Sequence, residues 1–242
     1  MRSGTGSTLR RWTTLVPAIA VVLSSFAFIA PRDAEAASSL FCFGYIAKPG
    51  QAFGYNVIAG TESNDVIYGT SGNDLIVGLG GNDVIYGYGG NDLICGGDGD
   101  DWLYGHAGND KISGGLGNDV ISGDNGNDNL FGDPGDDRMW GGSGNDYMVG
   151  DAGKDTMYGG NDHDEMFGND GDDYLSGEFG NDVLYGGAGN DRLFDLYADG
   201  SQWPFNNKLF GESGTDQCRY WTWDTSGGFY KPNLFYTCES FI

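Results

Sequence analysis

Hydrophobic residues recur with a period of nine over more than half of the chain. From residue 61 to residue 195 the sequence divides into fifteen nine-residue units without an insertion, and the seventh residue of each unit is Ile, Leu or Met. Units such as TSGNDLIVG and HAGNDKISG centre a triplet on this residue. In an extended triplet the central side chain points to one face and its neighbours point to the other. The pattern therefore predicts one short strand per unit, with a buried residue at its centre.

Glycines separate these triplets. The ninth residue of each unit is Gly except at Asp195, and the third is Gly in thirteen of the fifteen units, with Ser63 and Asp162 as the exceptions. Because Gly tolerates a positive φ angle, we expect both glycine positions to adopt that conformation in a tight turn. Nine residues then form one turn and one three-residue strand.

Stacking of these units defines the fold. Two units complete one coil, so residue i lies over residue i+18 at a strand spacing of ~4.8 Å. The aliphatic residues of two facing sheets then form a thin core, and parallel crossovers are generally right-handed. A looser unit at 52–60 precedes the regular ones, with Asn56 in the fifth position. We predict an all-β protein, a right-handed parallel β-roll over residues 56–195.

The fifth residue of every unit is Asp, and the coil pitch places these residues in two columns, one along each edge of the roll. The first column contains Asp65, Asp83, Asp101, Asp119, Asp137, Asp155, Asp173 and Asp191. The second column contains Asp74, Asp92, Asp110, Asp128, Asp146, Asp164 and Asp182. Carboxylates ~5 Å apart repel by ~3 kcal/mol at an effective dielectric constant of ~20. A cation between stacked carboxylates removes this repulsion, and hard oxygen ligands favour Ca²⁺.

The two columns leave gaps for up to about thirteen Ca²⁺ ions, one for each stacked pair. Burial of the aliphatic rows contributes less free energy than the loss of conformational entropy costs when the backbone becomes ordered. We therefore expect the metal-free chain to be unfolded and calcium to drive its folding.

Charge and the first residues of the chain indicate an exported protein. The chain has 35 acidic and 12 basic residues, a net charge of −23, which argues against nucleic acid or an anionic membrane surface as a partner. Arg10 and Arg11 precede an apolar stretch at 15–30, and Ala34-Glu35-Ala36 offers small residues for cleavage. We predict a signal peptide at 1–36 and a secreted mature chain with a net charge of −25, close to the opposite charge of thirteen Ca²⁺. A retained membrane anchor is the alternative, although the apolar stretch is short for a span.

Four cysteines in an exported chain favour two disulfides. A Cys42–Cys95 bond would hold the apolar segment 41–46 over outward-facing apolar residues of the early coils. A Cys218–Cys238 bond would close an aromatic C-terminal cap. The predicted organisation is a signal peptide at 1–36, an N-terminal cap at 37–55, the roll at 56–195, and a degenerate repeat with a C-terminal cap at 196–242.

The units resemble G-G-x-G-x-D-x-U-x, the nonapeptide of the repeats-in-toxin (RTX) calcium-binding family. The resemblance covers 61–195 closely and 52–218 more loosely. It implies a right-handed parallel β-roll with Ca²⁺ between successive coils, held by the fifth-position aspartates named above. The chain departs from the motif at its second glycine, which is replaced in many units, as at Tyr88 and His106. We interpret this position as less demanding here.

Two further units depart from the family pattern. Lys154 and His163 replace the Asn or Asp that usually precedes the ligand aspartate, and Asp162 replaces a turn glycine. We therefore expect the sites near Asp155 and Asp164 to be the weakest.

The sequence offers no catalytic constellation. No H-E-x-x-H motif is present, and the only histidines, His106 and His163, fall in predicted turns. The favoured hypothesis is a non-enzymatic, secreted calcium-binding protein with a structural or surface role. The alternative is a calcium-dependent adhesin, or a module that binds extracellular polysaccharide or cell wall through an outward aromatic column. That column contains Tyr68, Tyr86, Tyr104, Trp140, Tyr158 and Phe194.

Overall fold

The computed structural model describes residues 40–43, 45–47, 54–195, 208–222 and 231–232. All of them lie in the second of two units into which the chain divides, Ala37–Ile242. The predicted signal peptide at 1–36 and the Cys238 partner of the second predicted disulfide lie outside the described residues. Strands and the turns between them make up the described part, which contains no helix long and apolar enough to cross a membrane.

Between residues 56 and 195 the strands follow one another with short turns between them. In chain order they are β1 (Leu40–Cys42), β2 (Tyr45–Ala47), β3 (Asn56–Ala59), β4 (Val66–Tyr68), β5 (Asp74–Gly80), β6 (Val84–Gly89), β7 (Leu93–Asp98), β8 (Trp102–Ala107), β9 (Lys111–Leu116), β10 (Val120–Asn125), β11 (Asn129–Pro134), β12 (Arg138–Ser143), β13 (Tyr147–Ala152), β14 (Thr156–Asn161), β15 (Glu165–Asp170), β16 (Tyr174–Phe179), β17 (Val183–Gly189), β18 (Arg192–Asp195), β19 (Lys208–Gly214), β20 (Gln217–Thr222) and β21 (Lys231–Pro232).

Two parallel sheets face each other. The even-numbered strands from β4 to β20 form one sheet, and the odd-numbered strands from β3 to β19 form the other. Each strand from β5 to β18 therefore pairs with the strand two places before it and the strand two places after it. Ile121 of β10, for example, pairs with Leu103 on one side and Met139 on the other, at the expected spacing of eighteen residues. This arrangement confirms the all-β parallel roll.

The seventh-position residues form the core between the sheets. Ile67 is 7% exposed at the first coil, and the residues that follow it at this position, from Ile76 to Leu193, are fully buried. Cys218 continues the row, since it pairs with Leu193 and is 3% exposed. The prediction of a buried seventh position is confirmed.

The strands are longer than the predicted three residues. Most have six, as in β8 (Trp102–Ala107), because parallel pairing resumes after the ninth-position glycine. Tyr104 pairs with Ser122 before Gly105, and His106 pairs with Asp124 after it. From the third unit onwards, the first two residues of each unit thus extend the strand that began in the previous unit.

The backbone prediction is right for the third position and wrong for the ninth. Eleven of the thirteen third-position glycines have a positive φ, as Gly108 does at 139°, whereas described ninth-position glycines such as Gly105 do not. The ninth position requires Gly because a Cβ on Gly105 would meet the Asp110 carboxylate and the Gly123 carbonyl oxygen. The second left-handed position is instead the first residue of the unit, where Tyr88 has φ 73° and Leu79 has φ 86°. Interpreting this position as less demanding was therefore wrong.

A short hairpin caps the early coils. Strands β1 and β2 pair in antiparallel fashion, and a disulfide joins Cys42 to Cys95 of β7. Cys42 is buried in a cluster with Leu75, Val77 and Leu93, whose side chains face away from the main core. Both the predicted disulfide and the predicted cover over these residues are confirmed.

The parallel sheets continue beyond residue 195. Strand β19 pairs with β17, and β20 pairs with β18. Val183 pairs with Lys208, an offset of 25 residues instead of eighteen. The additional residues belong to the longer unit between β18 and β19, after which the repeat geometry resumes.

Candidate metal centre

The fifth-position aspartates lie at the start of the strands, directly after the turns. Asp65 is half-buried, and the others are at most 2% exposed. Within each column the backbone N–H of one Asp donates to Oδ1 of the Asp eighteen residues later. Asp101 N donates to Asp119 Oδ1 at 2.8 Å, and Asp110 N donates to Asp128 Oδ1 at 2.7 Å. The structure thus assembles the two predicted columns as two hydrogen-bonded ladders.

The second oxygen of most of these carboxylates has no hydrogen-bond donor. The aspartates whose buried Oδ2 atom lacks one are Asp83, Asp92, Asp101, Asp110, Asp119, Asp128, Asp137, Asp146, Asp155, Asp164, Asp173 and Asp191. An ionised carboxylate only accepts hydrogen bonds, and burying it without a partner costs several kcal/mol. A row of such oxygens therefore requires positive charge from outside the chain.

The ninth-position glycine leaves room beside each of these oxygens. A Cβ on Gly123 would lie close to Asp128 Oδ2 and within 2.8 Å of the Gly141 carbonyl oxygen. The same relationship recurs one coil later, where a Cβ on Gly141 would meet Asp146 Oδ2. The missing side chain thus opens a space bordered by carboxylate and carbonyl oxygens.

Burial and mutual repulsion act on the carboxylates together. Burial raises the pKa of Asp101 to about 7, and the charges of Asp83 and of nearby exposed acids add to the shift. The pKa of Asp137 rises to about 8 for the same first reason, with Asp119 and Asp155 of its own column contributing. The stacked aspartates are therefore close enough to repel one another when they are ionised.

These features together fit a hard divalent cation. Each gap offers carboxylate and backbone carbonyl oxygens, which are the ligands that Ca²⁺ prefers in proteins. Among the described residues, no three His, Cys, Asp or Glu side chains converge on one point. Each ion would therefore be held by the carboxylates of a stacked pair and by turn carbonyls, with no site built from acidic side chains alone.

A second ladder runs beside the first in the opposite direction. The fourth-position amide of one coil donates to the fourth-position Oδ1 of the coil before it, as Asn109 N does to Asn91 at 2.8 Å. This explains why Asn or Asp occupies the fourth position, a preference that sequence reasoning noted without a role. His163 accepts through Nδ1 from Asn181 N at 3.0 Å, whereas the ammonium of Lys154 cannot accept. The weakness expected of the sites at Asp155 and Asp164 stays a prediction.

The first two turns differ from the others. Asp65 Oδ2 accepts hydrogen bonds from the backbone N–H of Thr61 at 2.7 Å and from its hydroxyl at 2.8 Å. Asp74 Oδ2 accepts equivalent bonds from Thr70, at 2.6 and 3.0 Å. Each column therefore begins with a carboxylate that protein donors satisfy, and the two threonines act as caps.

One member of the first column was absent from the predicted ligands. Asp191 N donates to Asp216 Oδ1 at 3.0 Å, and Asp216 is 7% exposed. The available signal was the turn motif that resumes at 211–216 after the longer unit. Asp216 therefore extends the first column by one step, to nine aspartates.

A parallel roll whose turns carry stacked, unpaired carboxylates belongs to the class of calcium-binding β-solenoids. The family described as RTX calcium-binding nonapeptide repeat (4 copies) matches this chain at 54–85, 68–103, 86–121, 96–130, 122–157, 131–166 and 158–193. The chain is a member of the RTX calcium-binding nonapeptide repeat family. A search of curated proteins gives no match.

Proposed function

We propose that this calcium-binding β-roll protein is secreted, folds when it binds Ca²⁺, and has a structural or surface role. The observation that carries the proposal is the row of buried Oδ2 atoms without a donor, such as those of Asp101 and Asp119. Without cations the roll would bury stacked negative charges, at a cost of several kcal/mol per ion. With Ca²⁺ in the gaps, the same charges bind the coils together. Metal binding and folding would then be one event.

The number of ions follows from the columns. The fifteen repeat aspartates leave thirteen gaps, so up to about thirteen Ca²⁺ could bind, and the Asp191–Asp216 step would add one more. The gaps that begin at Asp65 and Asp74 differ, since the Oδ2 atom of each already has donors. We propose that these first gaps bind calcium more weakly than the central ones.

An extracellular location has two supports. Residues 1–36 have the pattern of an export signal. The disulfide between Cys42 and Cys95 also suits an oxidising compartment. Calcium sites of extracellular modules bind with Kd values of ~10⁻⁴–10⁻³ M, so weak sites would still be occupied outside the cell.

A non-enzymatic role fits the chemistry of the described residues. Their acidic side chains with strongly raised pKa belong to the repeat ladders or lie beside them, and those ladders are explained by ion binding. His106 is partly exposed and pairs with Asp124 at 2.9 Å, while His163 takes part in the fourth-position ladder. Neither histidine is positioned against a nucleophile.

Calorimetric titration of the chelator-treated mature protein with Ca²⁺ tests the proposal. We expect many ions to bind per chain, with a cooperative heat signal that coincides with the appearance of β structure. Mg²⁺ is the matched control, because it demands a smaller and stricter octahedral site. Binding of fewer than about two Ca²⁺ per chain, or equal folding in Mg²⁺, would contradict the calcium-driven roll.

The calcium-dependent adhesin, or polysaccharide- and wall-binding module, has one observation in its favour. Tyr68 is 57% exposed at the edge of the even-numbered sheet, and it begins the outward aromatic column. The next rings stack face to face, with centroids 5.5 Å apart for Tyr68–Tyr86 and 5.1 Å for Tyr86–Tyr104. Stacked rings cover one another's faces, so this column favours sheet stiffening, and Tyr68 is the ring best placed to contact a sugar.

Sedimentation of the calcium-loaded protein with insoluble polysaccharide or cell-wall material separates the two roles. The adhesin role predicts binding that chelator abolishes and that Tyr68→Ala weakens, whereas Tyr158→Ala, further along the column, does not. If the protein binds none of these materials, the adhesin role is excluded and only the structural role remains.

A further inference from the structure

Asp195 is a buried carboxylate that the fifth-position ladders do not explain. It is the ninth residue of the last regular unit, where the other units have Gly. It is 2% exposed, and neither Oδ1 nor Oδ2 has a hydrogen-bond partner. A buried acid with both oxygens unsatisfied is expected only where something else supplies positive charge.

The register of the roll directs this side chain at the second column. Phe194, directly before Asp195, pairs with Ser176, directly before Gly177. A Cβ on Gly177 would lie 2.5 Å from Asp182 Oδ2. A side chain at the ninth position therefore points towards the aspartate ladder. Asp195 is the one ninth-position residue of the regular units that has a side chain, and this side chain is a carboxylate.

The electrostatics of Asp195 agree with this placement. Burial raises its pKa to about 8, and the charges of Asp182 and Asp164 add to the shift. Both of these residues belong to the second column. Asp195 thus lies near the last members of that column. No aspartate of the first column contributes to the shift in its pKa.

The two columns end differently. The first continues past the longer unit, since Asp191 is followed in register by Asp216. The second has no equivalent aspartate, because Val183 pairs with Lys208 and the residue directly before Lys208 is Asn207. The last gap of the second column therefore lacks its regular upper carboxylate, and Asp195 lies one coil above Gly177 on that same edge.

We infer that Asp195 supplies the missing carboxylate and, together with Asp182, holds a terminal Ca²⁺ that closes the second column. The ligand comes from the ninth position of the unit instead of the fifth. The inference rests on the proposed calcium-driven roll, because an isolated acidic pair would have no reason to be buried here. Backbone carbonyls of the turn would complete the oxygen set.

Native mass spectrometry of the calcium-loaded protein tests the inference, since it counts bound ions as integers. We expect Asp195→Asn and Asp195→Gly to carry one Ca²⁺ fewer than the unaltered protein. Gly is the residue that the other units have at the ninth position, so Asp195→Gly suits the backbone there. The matched control is Asp170→Asn, which removes an exposed carboxylate and should leave the count unchanged.

The calcium concentration at the folding midpoint provides a second readout with opposite signs. If Asp195 binds an ion, both variants need more calcium to fold, by about two-fold or more. If Asp195 is only a buried unpaired acid, removing its charge makes folding easier, so the midpoint falls and the ion count stays the same. That result would overturn the inference while leaving the calcium-driven roll intact. Absence of calcium from the unaltered protein would instead contradict the proposed function.

Discussion

The backbone N–H of Asp101 donates a 2.8 Å hydrogen bond to Oδ1 of Asp119, while the buried Oδ2 of Asp119 has no donor. One oxygen of the carboxylate thus fixes the distance between successive coils, and the other is left for a cation. Coil register and ion binding therefore depend on the same side chain. Loss of this side chain should affect both.

Replacing Asp101 by Asn should weaken calcium binding in the centre of the first column. The amide can still accept the bond from Asp83 N, but it removes one of the charges that attract the ion. We expect the midpoint calcium concentration for folding to rise by about ten-fold, or ~1.4 kcal/mol. Circular dichroism during a calcium titration measures this midpoint.

The neighbouring Asp100 provides the matched control. Asp100 is exposed and accepts a 2.9 Å bond from Asn118 N, which an Asn side chain can also accept. Asp100→Asn makes the same change of charge one residue away and should leave the midpoint almost unchanged. Equal shifts in the two variants would mean that general charge, and not ligation, sets the calcium requirement.

Replacing Gly105 by Ala should destabilise the calcium-loaded roll. The added methyl group would collide with Asp110 Oδ2 and press on the Gly123 carbonyl, the two groups that border a proposed ion site. Overpacking of this kind costs ~1–3 kcal/mol. Thermal unfolding in saturating calcium should show a lower Tm, and native mass spectrometry should show the loss of at least one ion.

Gly89→Ala tests whether any methyl group in a turn has this effect. A Cβ on Gly89 would meet nothing nearer than 3.8 Å, and its φ is not in the left-handed region. This variant should therefore unfold close to the unaltered protein. A similar loss of Tm in both variants would count against a specific space at the ninth position.

The nine-residue period was sufficient to predict the parallel roll and its core. One buried residue per unit, from Ile76 to Leu193, is enough to fix the strand register, because a slip of one residue would expose the whole row. The Cys42–Cys95 pair was also predictable. Its outward apolar neighbours, including Leu75 and Val77, required a cover, and the nearest apolar segment carried a cysteine.

The roles of the individual glycines and the ends of the columns could not be predicted. A glycine required by close approach, such as Gly105, and one required by a positive φ, such as Gly108, look identical in sequence. Tyr88 has a positive φ although its side chain gives no hint of it. Asp216 escaped because it lies outside the regular count, and Asp195 escaped because it is a ninth-position residue. Only the three-dimensional register shows which column each of them joins.

Replacing Thr70 by Val should loosen the N-terminal end of the second column. Thr70 donates through its backbone N–H and its hydroxyl to the Asp74 carboxylate, and Val removes the hydroxyl donor while keeping the shape. A hydrogen bond to a charged group contributes ~1.5–3 kcal/mol. Hydrogen exchange should become faster in β5, while the central strands stay protected.

Thr70→Ser is the control, because it keeps the hydroxyl and should restore protection of β5. If Val and Ser behave alike, the cap contributes nothing beyond the backbone bond of Thr70. If exchange rises along the whole roll, the effect is global and the two threonines are not local caps.

Acid should have opposite effects on the metal-free and calcium-loaded protein. Burial raises the pKa of Asp101 to about 7 and that of Asp137 to about 8, from an ordinary value of 3.8. Protonation therefore stabilises the metal-free roll fully below pH ~3.8, and this stabilisation is lost as pH rises through about 7 to 8. In chelator, β structure measured by circular dichroism should increase as pH falls from about 8 towards 5.

Acid should act against calcium binding to the folded roll, because protons and Ca²⁺ compete for the same carboxylates. The number of Ca²⁺ ions bound per folded chain, counted by native mass spectrometry, should therefore fall as pH falls over the same range. If β structure in chelator is independent of pH, the buried carboxylates do not control folding of the metal-free chain.

We propose that the roll forms only when Ca²⁺ lies between the stacked aspartates. Far-ultraviolet circular dichroism of the mature protein at neutral pH, in excess chelator and then in millimolar calcium, is the decisive experiment. We expect a disordered spectrum in chelator and a strong β spectrum after calcium is added. A β spectrum of full strength in chelator, unchanged by calcium, would show that the roll forms without the ion.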